Sequence, residues 1–270
     1  MFDLKEHPHR RFNPLTQEWL IVSPHRTKRP WQGQIEYANC TISPPYDADC
    51  YLCPTNNRVG DEINPDYKDL FVFENDFAAL QSDIPNGNFN ENNLLIATSE
   101  RGICRVLCFS PNHGLTLSQM KPGDIKKVVN EWAKQYRELG KVEFINHVQI
   151  FENRGGMMGS SNPHPHGQIW ASENVPNETA KELVSQRAYF EKTESCLLCD
   201  YLKLEQNHRE RIVVENKLFA AIVPFWAVYP FEVMIVGKNH RGAIDEFSDE
   251  EKTAFAEILK RITTRYDNLI

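Results

Sequence analysis

Short apolar stretches alternate with longer amphipathic segments along the chain. Apolar, branched, aromatic or alternating residues predict strands at 19–22, 69–75, 104–110, 142–151 and 166–171. Residues 82–93 are dense in Asn, Asp, Pro and Gly, which predicts an exposed loop.

Three amphipathic segments have the signals of helices. Residues 122–140 begin at a proline, place apolar side chains on one face and close at a glycine. Residues 177–194 are polar and amphipathic, and 247–267 contain Ser248 and Glu251 in the spacing of a capping box. Strands and helices together predict an α+β fold.

A weak internal repeat organises the sequence. Each copy begins with a Cys-x-x-Cys pair and continues through apolar strands to a histidine and then a helix. The pairs are Cys50 with Cys53 and Cys196 with Cys199, and the histidines are His113 and His240. We therefore predict two related halves, 1–176 and 177–270. The first copy continues into a further strand-turn-His module, so the second half is expected to be C-terminally incomplete.

Composition narrows the class of protein. The chain has 270 residues, 41% hydrophobic and 25% charged, which is ordinary for a globular protein. A net charge of −7 disfavours a long nucleic-acid groove but allows small phosphorylated ligands. We find neither a signal-peptide pattern nor an apolar stretch of about 20 residues, so we expect a cytoplasmic protein with no membrane partner. Its seven cysteines are expected to be reduced.

The first cysteine pair predicts a structural zinc site. Two thiolates separated by two residues can share one tetrahedral zinc ion, and His113 and His164 are the natural further ligands of Cys50 and Cys53. Such a set leaves no open position, and the alternative is a buried thiol pair without metal. Cys196, Cys199 and His240 form a similar but three-membered set, which predicts a second zinc.

The run Asn-Pro-His-Pro-His-Gly-Gln at 162–168 contains the predicted nucleophile, His166. In an extended segment His164 and His166 share one face, so zinc at His164 would fix the backbone of His166. An imidazole attacks phosphorus through an unprotonated nitrogen, and its other nitrogen then donates to a carbonyl. The alternative is that His166 is a second zinc ligand or a surface histidine.

Several neighbouring residues suit a nucleotide. Gln168 shares the face of His166 and can donate to a phosphate oxygen. The small-residue turn before it offers N–H and O–H groups for phosphate, from Gly155, Gly156, Gly159, Ser160 and Ser161. Cations that could bind a diphosphate are Arg26 and Arg29, and groups that could hold ribose and base are Asn75, Asp76, Phe77 and Asn153. Each of these could equally be an ordinary surface or turn residue.

Long runs of the sequence resemble the galactose-1-phosphate uridylyltransferase family of the histidine-triad superfamily. They are HPHRRFNPLTQEWLIVSPHRTKRPWQGQ, NDFAAL, FENRGGMMGSSNPHPHGQIWA, VPFWAVYPFE and RYDNL. The resemblance implies two histidine-triad-like halves, each a mainly antiparallel sheet flanked by helices. It also implies a ping-pong transfer of a uridylyl group from UDP-glucose to galactose-1-phosphate through His166, within galactose metabolism.

The same resemblance assigns roles to further residues. Ser161 and Gln168 would contact phosphate, and Arg26 and Arg29 would reach the partner subunit's site in a homodimer. The nucleotide site would be lined by Val59, Asn75, Asp76, Asn153 and Gly159. Glu182 matches an iron ligand of the bacterial enzyme, so the expected metals are zinc and either iron or a second zinc. The alternative functions are an adenylyl-sugar phosphorylase and a non-catalytic, zinc-stabilised nucleotide-binding fragment.

Overall fold

The computed structural model describes residues 1–30, 43–160 and 162–269, and it contains eleven strands and four helices within them. The strands are β1 His9–Asn13, β2 Glu18–Val22, β3 Phe71–Glu74, β4 Asn88–Glu91, β5 Leu95–Thr98, β6 Gly102–Cys108, β7 His147–Phe151, β8 His166–Ser172, β9 Ile212–Glu215, β10 Phe219–Ile222 and β11 Met234–Gly237. The helices are α1 Pro122–Leu139, α2 Asn177–Thr193, α3 Leu197–His208 and α4 Asp249–Asp267. The α+β prediction is confirmed, and every strand pairing within the four sheets is antiparallel.

By contacts the chain forms two compact units that interleave along the sequence. Unit 1 consists of the described residues of Met1–Cys40 and Pro176–His240. Unit 2 consists of the described residues of Thr41–Val175 and Arg241–Leu269. The predicted boundary at residue 176 stays a prediction about the repeat, because α4 packs with α1 inside unit 2.

Unit 2 is built on a four-stranded sheet in the order β3-β6-β8-β7. Side chains alternate between its faces, so Leu107 and Ile169 point to the core beneath α1, whereas Val106, His166 and Gln168 share the other face. Register aligns Cys108 with His166 and Val106 with Gln168. The side chain of His166 therefore lies on the same face of the sheet as those of Val106 and Gln168.

The helix ends follow the predicted chemistry. Ser248 accepts a hydrogen bond from the backbone N–H of Glu251, whose side chain returns to the Ser248 N–H, so the capping box is confirmed. Unit 1 contains the β1-β2 hairpin, the sheet β11-β10-β9 and helices α2 and α3. No described helix is both long and apolar enough to cross a membrane.

Two local predictions were wrong. Residues 82–93 are not all loop, because β4 pairs with β5 across a turn in which Asn92 and Asn93 both adopt positive φ. Asparagine tolerates this left-handed conformation and so permits a tight hairpin. Residues 142–146 are not strand, because Val142 and Ile145 donate to carbonyls three residues earlier and continue the chain as turns. Helix α3 was not predicted.

Candidate active site and metal cluster

Four buried side chains of unit 2 form a group that we call cluster A: Cys50, Cys53, His113 and His164. Their ligand atoms all lie within 4.8 Å of one another. A turn closed by the Cys53 N–H and the Cys50 carbonyl brings the two thiols together. His113 follows β6 and His164 precedes β8, so the cluster joins three separate parts of the chain. The predicted grouping is confirmed as one that could hold a metal ion.

Hydrogen bonds orient both imidazoles of cluster A. Cys53 Sγ is 3.5 Å from Nδ1 of His113 and 3.5 Å from Nδ1 of His164. His164 Nε2 lies 2.9 Å from the Ser110 carbonyl, and His113 Nε2 lies 4.0 Å from a carboxylate oxygen of Asp47. A carbonyl only accepts, so the proton of His164 sits on Nε2 and its Nδ1 lone pair faces the thiols. Acceptors outside the ligands commonly fix metal-binding histidines in this way.

Burial shapes the protonation of this cluster. It lowers the pKa of His164 to about 4, which keeps the imidazole neutral, and it raises the pKa of Cys53 to about 11. Thiolates buried at this depth need a cation nearby. Two thiols and two neutral imidazoles in an enclosed space fit a soft, tetrahedral divalent metal.

Two supports of cluster A escaped sequence reasoning. Asn162 accepts a hydrogen bond from the His164 N–H at 2.7 Å, and its amide nitrogen lies 3.5 Å from Cys50 Sγ. Tyr67 donates to the Leu52 carbonyl at 2.6 Å. Asn162 stands in the same histidine-rich run, so its position could have indicated it, whereas Tyr67 carries no such signal.

His166 has the orientation that nucleophilic attack requires. Its Nδ1 is 2.7 Å from the backbone carbonyl oxygen of His164. Because that oxygen only accepts, Nδ1 carries the proton and the lone pair lies on Nε2. The partly buried ring of His166 is therefore hydrogen-bonded to the backbone of a cluster A residue.

A cavity of about 550 Å³ opens on one side of His166. It brings together the predicted residues Val59, Asn75, Asp76, Phe77 and Gln168. Trp170 Nε1 donates to Gln168 Oε1 at 3.1 Å, which leaves the Gln168 amide NH₂ as the donating end. The cavity walls are largely apolar and aromatic, as a base and ribose would need.

Arg58 was not predicted, yet it shapes this cavity. Its Nε lies 2.8 Å from Asp76 Oδ2, and its guanidinium lies 4.1 Å from the centre of the Phe73 ring. Asp76 is thereby held by an arginine within the same wall. Arg58 contacts Phe73 only through tertiary packing, so no local sequence pattern indicated it.

A second cavity of about 400 Å³ is also lined by His166, together with Asn153, Gly155, Gly156 and Ser160. Gly155 and Gly159 have φ values of 85° and 82°, which favour glycine. The N–H groups of residues 158–160 donate to carbonyls within the turn. The Ser160 hydroxyl donates to the Asn162 carbonyl at 2.9 Å, so it supports the turn in this structure. Ser161 lies outside the described residues.

Two charged residues, Glu152 and Arg154, also line the second cavity. Arg154 pairs through two nitrogens with Asp267 on α4, and Ser118 also donates to Asp267. Burial raises the pKa of neighbouring Glu152 to about 7, and the charge of Arg154 opposes that shift. Neither Glu152 nor Asp267 was identified from sequence, because distant packing brings them together.

Two predicted nucleotide ligands and the predicted iron ligand lie in unit 1. Arg26 and Arg29 are exposed in and beside the short helix Pro24–Lys28. Glu182 lies on α2, where burial, with a smaller contribution from Glu178, raises its pKa. Among the described residues, Glu182 is in neither metal-binding group. Its assignment to iron stays a prediction.

Unit 1 also contains the second group, which we call cluster B: Cys196, Cys199 and His240. Their ligand atoms lie within 4.8 Å of one another, and Cys199 Sγ is 3.5 Å from His240 Nδ1. Cluster B is partly exposed, in contrast to cluster A. The sequence correctly predicted which residues assemble here.

Family models match nearly the whole chain. Residues 1–176 match galactose-1-phosphate uridyl transferase, N-terminal domain, and residues 182–270 match its C-terminal domain. A galactose-1-phosphate uridylyltransferase of Haemophilus influenzae is 50% identical over all of this chain and 76% of its own length. That of Saccharomyces cerevisiae is 46% identical over 99% of this chain and 76% of its own.

Solved structures agree at lower identity. A uridylyltransferase structure matches with a TM-score of 0.70 and 30% identity, over 93% of this chain and 72% of that one. An ADP-glucose phosphorylase from Arabidopsis thaliana with bound ADP-glucose matches with a TM-score of 0.71 and 28% identity, over 95% and 76% of the two chains.

Proposed function

The chain belongs to the galactose-1-phosphate uridylyltransferase family of transferases, and from this premise we propose that it transfers a uridylyl group from UDP-glucose to galactose-1-phosphate. His166 carries the group between two half-reactions. The observation that carries this assignment is the 2.7 Å contact between His166 Nδ1 and the His164 carbonyl. It leaves Nε2 free to attack and holds the ring in place.

In the first half-reaction His166 Nε2 attacks the α-phosphorus of UDP-glucose. A nitrogen–phosphorus bond forms as the bond to the bridging oxygen breaks, and glucose-1-phosphate leaves with that electron pair. In the second half-reaction a phosphate oxygen of galactose-1-phosphate attacks the same phosphorus. The nitrogen–phosphorus bond then breaks, UDP-galactose leaves, and the lone pair returns to Nε2.

The two cavities suit the two parts of the substrate. The apolar cavity with Val59, Asn75 and Asp76 suits uridine, and the glycine-lined cavity with Asn153 suits the phosphates and the hexose. Gln168, oriented by Trp170, donates to a phosphate oxygen during attack. We propose that Ser161 and Gly159 contact the phosphates and that the Ser160 hydroxyl supports them through the turn.

We propose zinc as the metal of cluster A. Cys50, Cys53, His113 and His164 would hold it, and their closed set suits a structural ion. When bound, zinc would cross-link three chain segments and thereby anchor the backbone that carries His166. The protein's part is to present one carbonyl to Nδ1 and to leave Nε2 facing the cavities.

The assembly and compartment are also proposals. A homodimer would let Arg26 and Arg29 bind nucleotide in the partner's site, because both are exposed. The described cysteines are all free, which suits the reducing cytoplasm. Glu182 as an iron ligand and a second zinc ion at Cys196, Cys199 and His240 belong to the same set of proposals.

Trapping the covalent intermediate tests the function. Protein incubated with UDP-glucose labelled in the α-phosphate should retain acid-labile, base-stable label, which peptide mass spectrometry should locate at His166. His166→Gly should abolish labelling, whereas His208→Asn, a histidine outside both clusters, should label normally. Adding galactose-1-phosphate should discharge the label as UDP-galactose.

Other substrates define the alternatives. Label from ADP-glucose but not UDP-glucose would replace the proposal with an adenylyl-sugar phosphorylase, which the ADP-glucose phosphorylase match favours. Absence of label from both, with metal still bound, would leave a nucleotide-binding protein without transfer. Label that persists in His166→Gly would remove His166 as the nucleophile.

A further inference from the structure

We propose that Arg58 is a positioning residue for nucleotide binding, because it holds the carboxylate of Asp76 where that group can accept hydrogen bonds from ribose hydroxyls. Both residues line the cavity of about 550 Å³ beside His166. A carboxylate is a common partner of nucleotide ribose hydroxyls. This inference rests on the proposed function and deepens it, since it names the group that fixes one residue of the proposed uridine site.

Arg58 and Asp76 form a largely buried ion pair on the cavity wall. Arg58 Nε lies 2.8 Å from Asp76 Oδ2, and the two side chains are 12% and 19% exposed. Little water screens the pair, so the attraction is strong and either charge alone would be costly to bury. Within the described part of the chain, Arg58 Nε makes no well-aligned hydrogen bond. The contact is therefore mainly electrostatic, and the carboxylate keeps lone pairs that can accept from a ligand.

The guanidinium of Arg58 is itself fixed by two further contacts. Its central carbon lies 4.1 Å from the centre of the Phe73 ring, and Nη1 donates to Asn64 Oδ1 at 3.4 Å. Phe73 lies on β3, and Asp76 follows the end of that strand by two residues. The same strand end thus carries the ring that supports the arginine and the carboxylate that the arginine faces.

The loop that carries Arg58 is fastened to the cysteine turn of cluster A. Its ends are joined by a hydrogen bond from the Asn64 N–H to the Asn56 carbonyl at 3.0 Å. The side-chain amide of Asn56 donates to the Cys50 carbonyl at 2.8 Å, and that of Asn64 donates to the Cys53 carbonyl at 2.9 Å. Both ends of the loop are therefore held by the backbone of cluster A, which places Arg58 against the cavity.

The alternative is that the ion pair only stabilises unit 2, and a second arginine of that unit provides a matched case. Arg101 Nη2 lies 2.7 Å from Glu173 Oε1, and its guanidinium lies 4.5 Å from the centre of the Phe144 ring. Among the described residues that line the two cavities containing His166, neither member of this pair occurs. Arg101 therefore has the same two kinds of contact as Arg58 away from the proposed nucleotide site.

Calorimetric titration with UDP separates the two roles. Arg58→Met keeps an unbranched side chain and removes the charge, and it should weaken UDP binding about tenfold or more because Asp76 loses its orienting partner. Arg101→Met should bind UDP as the parent does, although it loses a similar ion pair. The loss in Arg58→Met should raise the UDP-glucose concentration needed for half-maximal labelling, while the maximal rate stays within about threefold, since a separate contact orients His166.

A double-variant cycle tests whether Arg58 acts through Asp76. Asp76→Asn should also weaken UDP binding, and adding Arg58→Met should weaken it by no more than about twofold further, because the shared partner is already lost. Arg58→Lys, which keeps the charge but not the planar guanidinium, should fold and lose less affinity than Arg58→Met. Should Arg58→Met not fold, the same cycle is measured with Arg58→Lys.

The outcomes distinguish this role from the proposed function. Parent-like UDP affinity in the Arg58 variants would overturn the proposal, as would effects that multiply in the double variant or an equal loss of affinity in Arg101→Met. Absence of label at His166 in a parent that binds UDP or ADP would reject the transfer, and the cycle measured with the bound nucleotide would still decide the role of Arg58. A parent that binds neither nucleotide would overturn the ribose site and this role with it.

Discussion

Cluster A and cluster B both contain a Cys-x-x-Cys pair and one histidine that follows a strand. They differ in whether a fourth donor is present and in how deeply the donors are buried. Cluster A adds His164, and all four of its residues are buried, whereas cluster B has three residues that are partly or fully exposed. His164 is also the residue whose carbonyl accepts from His166. His164 thus has two roles, since it completes the group that could hold a metal ion and accepts the hydrogen bond that orients the proposed nucleophile.

The two clusters therefore suit different roles for a bound metal ion. A closed, buried set suits an ion that never leaves and that fixes the backbone around it. An open set beside an already packed sheet can add stability without controlling chemistry elsewhere. We therefore expect damage to cluster A to affect both folding and transfer, and damage to cluster B to affect neither strongly.

The largest expected effect comes from exchanging one cysteine in each cluster. Cys53→Ser should lose the metal of cluster A, destabilise the protein by several kcal/mol and reduce uridylyl transfer by about a hundredfold or more. Cys199→Ser should stay within about threefold of the parent in transfer. Labelling rates, zinc content and urea unfolding measure the three quantities. Equal losses of transfer in both variants would contradict the proposed division of roles.

The ligand sets could be predicted because each depends on local spacing and on a repeat. The two-residue spacing between Cys50 and Cys53 predicts a metal site. His113 and His240 occupy corresponding positions in the two copies of the repeat. What joins these segments is strand register, such as Cys108 opposite His166. A repeat indicates which residues correspond, and the register then brings them together.

The remaining parts of the site depend on packing between distant segments. Asp267 meets Arg154 because α4 packs beside α1 in unit 2, although the sequence repeat assigns α4 to the second copy. Helix α3 was not predicted, and in the structure its Leu202 packs into the core of unit 1 with residues of β10 and β11. No local pattern carries such information.

Replacing Gly167 tests whether uridylyl transfer depends on the backbone position of His166, and it changes no residue of cluster A. A Cβ at Gly167 would lie 3.0 Å from Phe109 Cζ and 3.1 Å from the Phe151 carbonyl oxygen, so in Gly167→Ala either β8 or these neighbours must shift by a few tenths of an ångström. We expect a destabilisation of about 1–3 kcal/mol and a roughly tenfold or greater loss of transfer. Zinc content should not change.

The control for this change is Gly123→Ala on α1, where a Cβ would meet nothing within 4 Å. It should be neutral or slightly stabilising in the same urea titration, because alanine favours helix. Full labelling by Gly167→Ala despite its lower stability would show that the position of β8 is not critical to His166.

A chelator should remove metal from the two clusters at different rates. A chelator added to zinc-loaded protein should release one ion quickly from exposed cluster B and the other slowly from buried cluster A. Transfer should survive the fast phase and disappear with the slow one, as followed by a colorimetric zinc indicator and by labelling of samples taken at intervals. Loss of transfer in the fast phase would reverse the assignment.

The last comparison concerns the pH dependence of stability. It uses one carboxylate beside each cluster, and the pKa values of the two shift in opposite directions. Burial raises the pKa of Glu152, which shares a cavity with His164 and His166, from its ordinary 4.5 to about 7. Hydrogen bonds, first from Ser195 and then from Lys203, lower the pKa of Asp200, which follows Cys199.

These shifts predict different dependences of stability on pH. For Glu152 the folded protein holds the proton more tightly than the unfolded chain does. Its contribution is therefore complete below pH 4.5 and lost as the pH rises to about 7, a change of at most about 3 kcal/mol. For Asp200 the contribution is complete above its unfolded pKa, so it should stay constant from pH 5 to pH 8.

Urea unfolding between pH 5 and pH 8 measures this contrast as the difference between each variant and the parent, in which metal effects common to both largely cancel. Glu152→Gln keeps the shape of the side chain and removes its titration, so its stability relative to the parent should rise through this range and level off near pH 7. Asp200→Asn should differ from the parent by a constant amount. A constant difference for Glu152→Gln as well would mean that its carboxylate is hydrated in the folded protein, and that the surroundings of cluster A are less enclosed than its four buried ligands indicate.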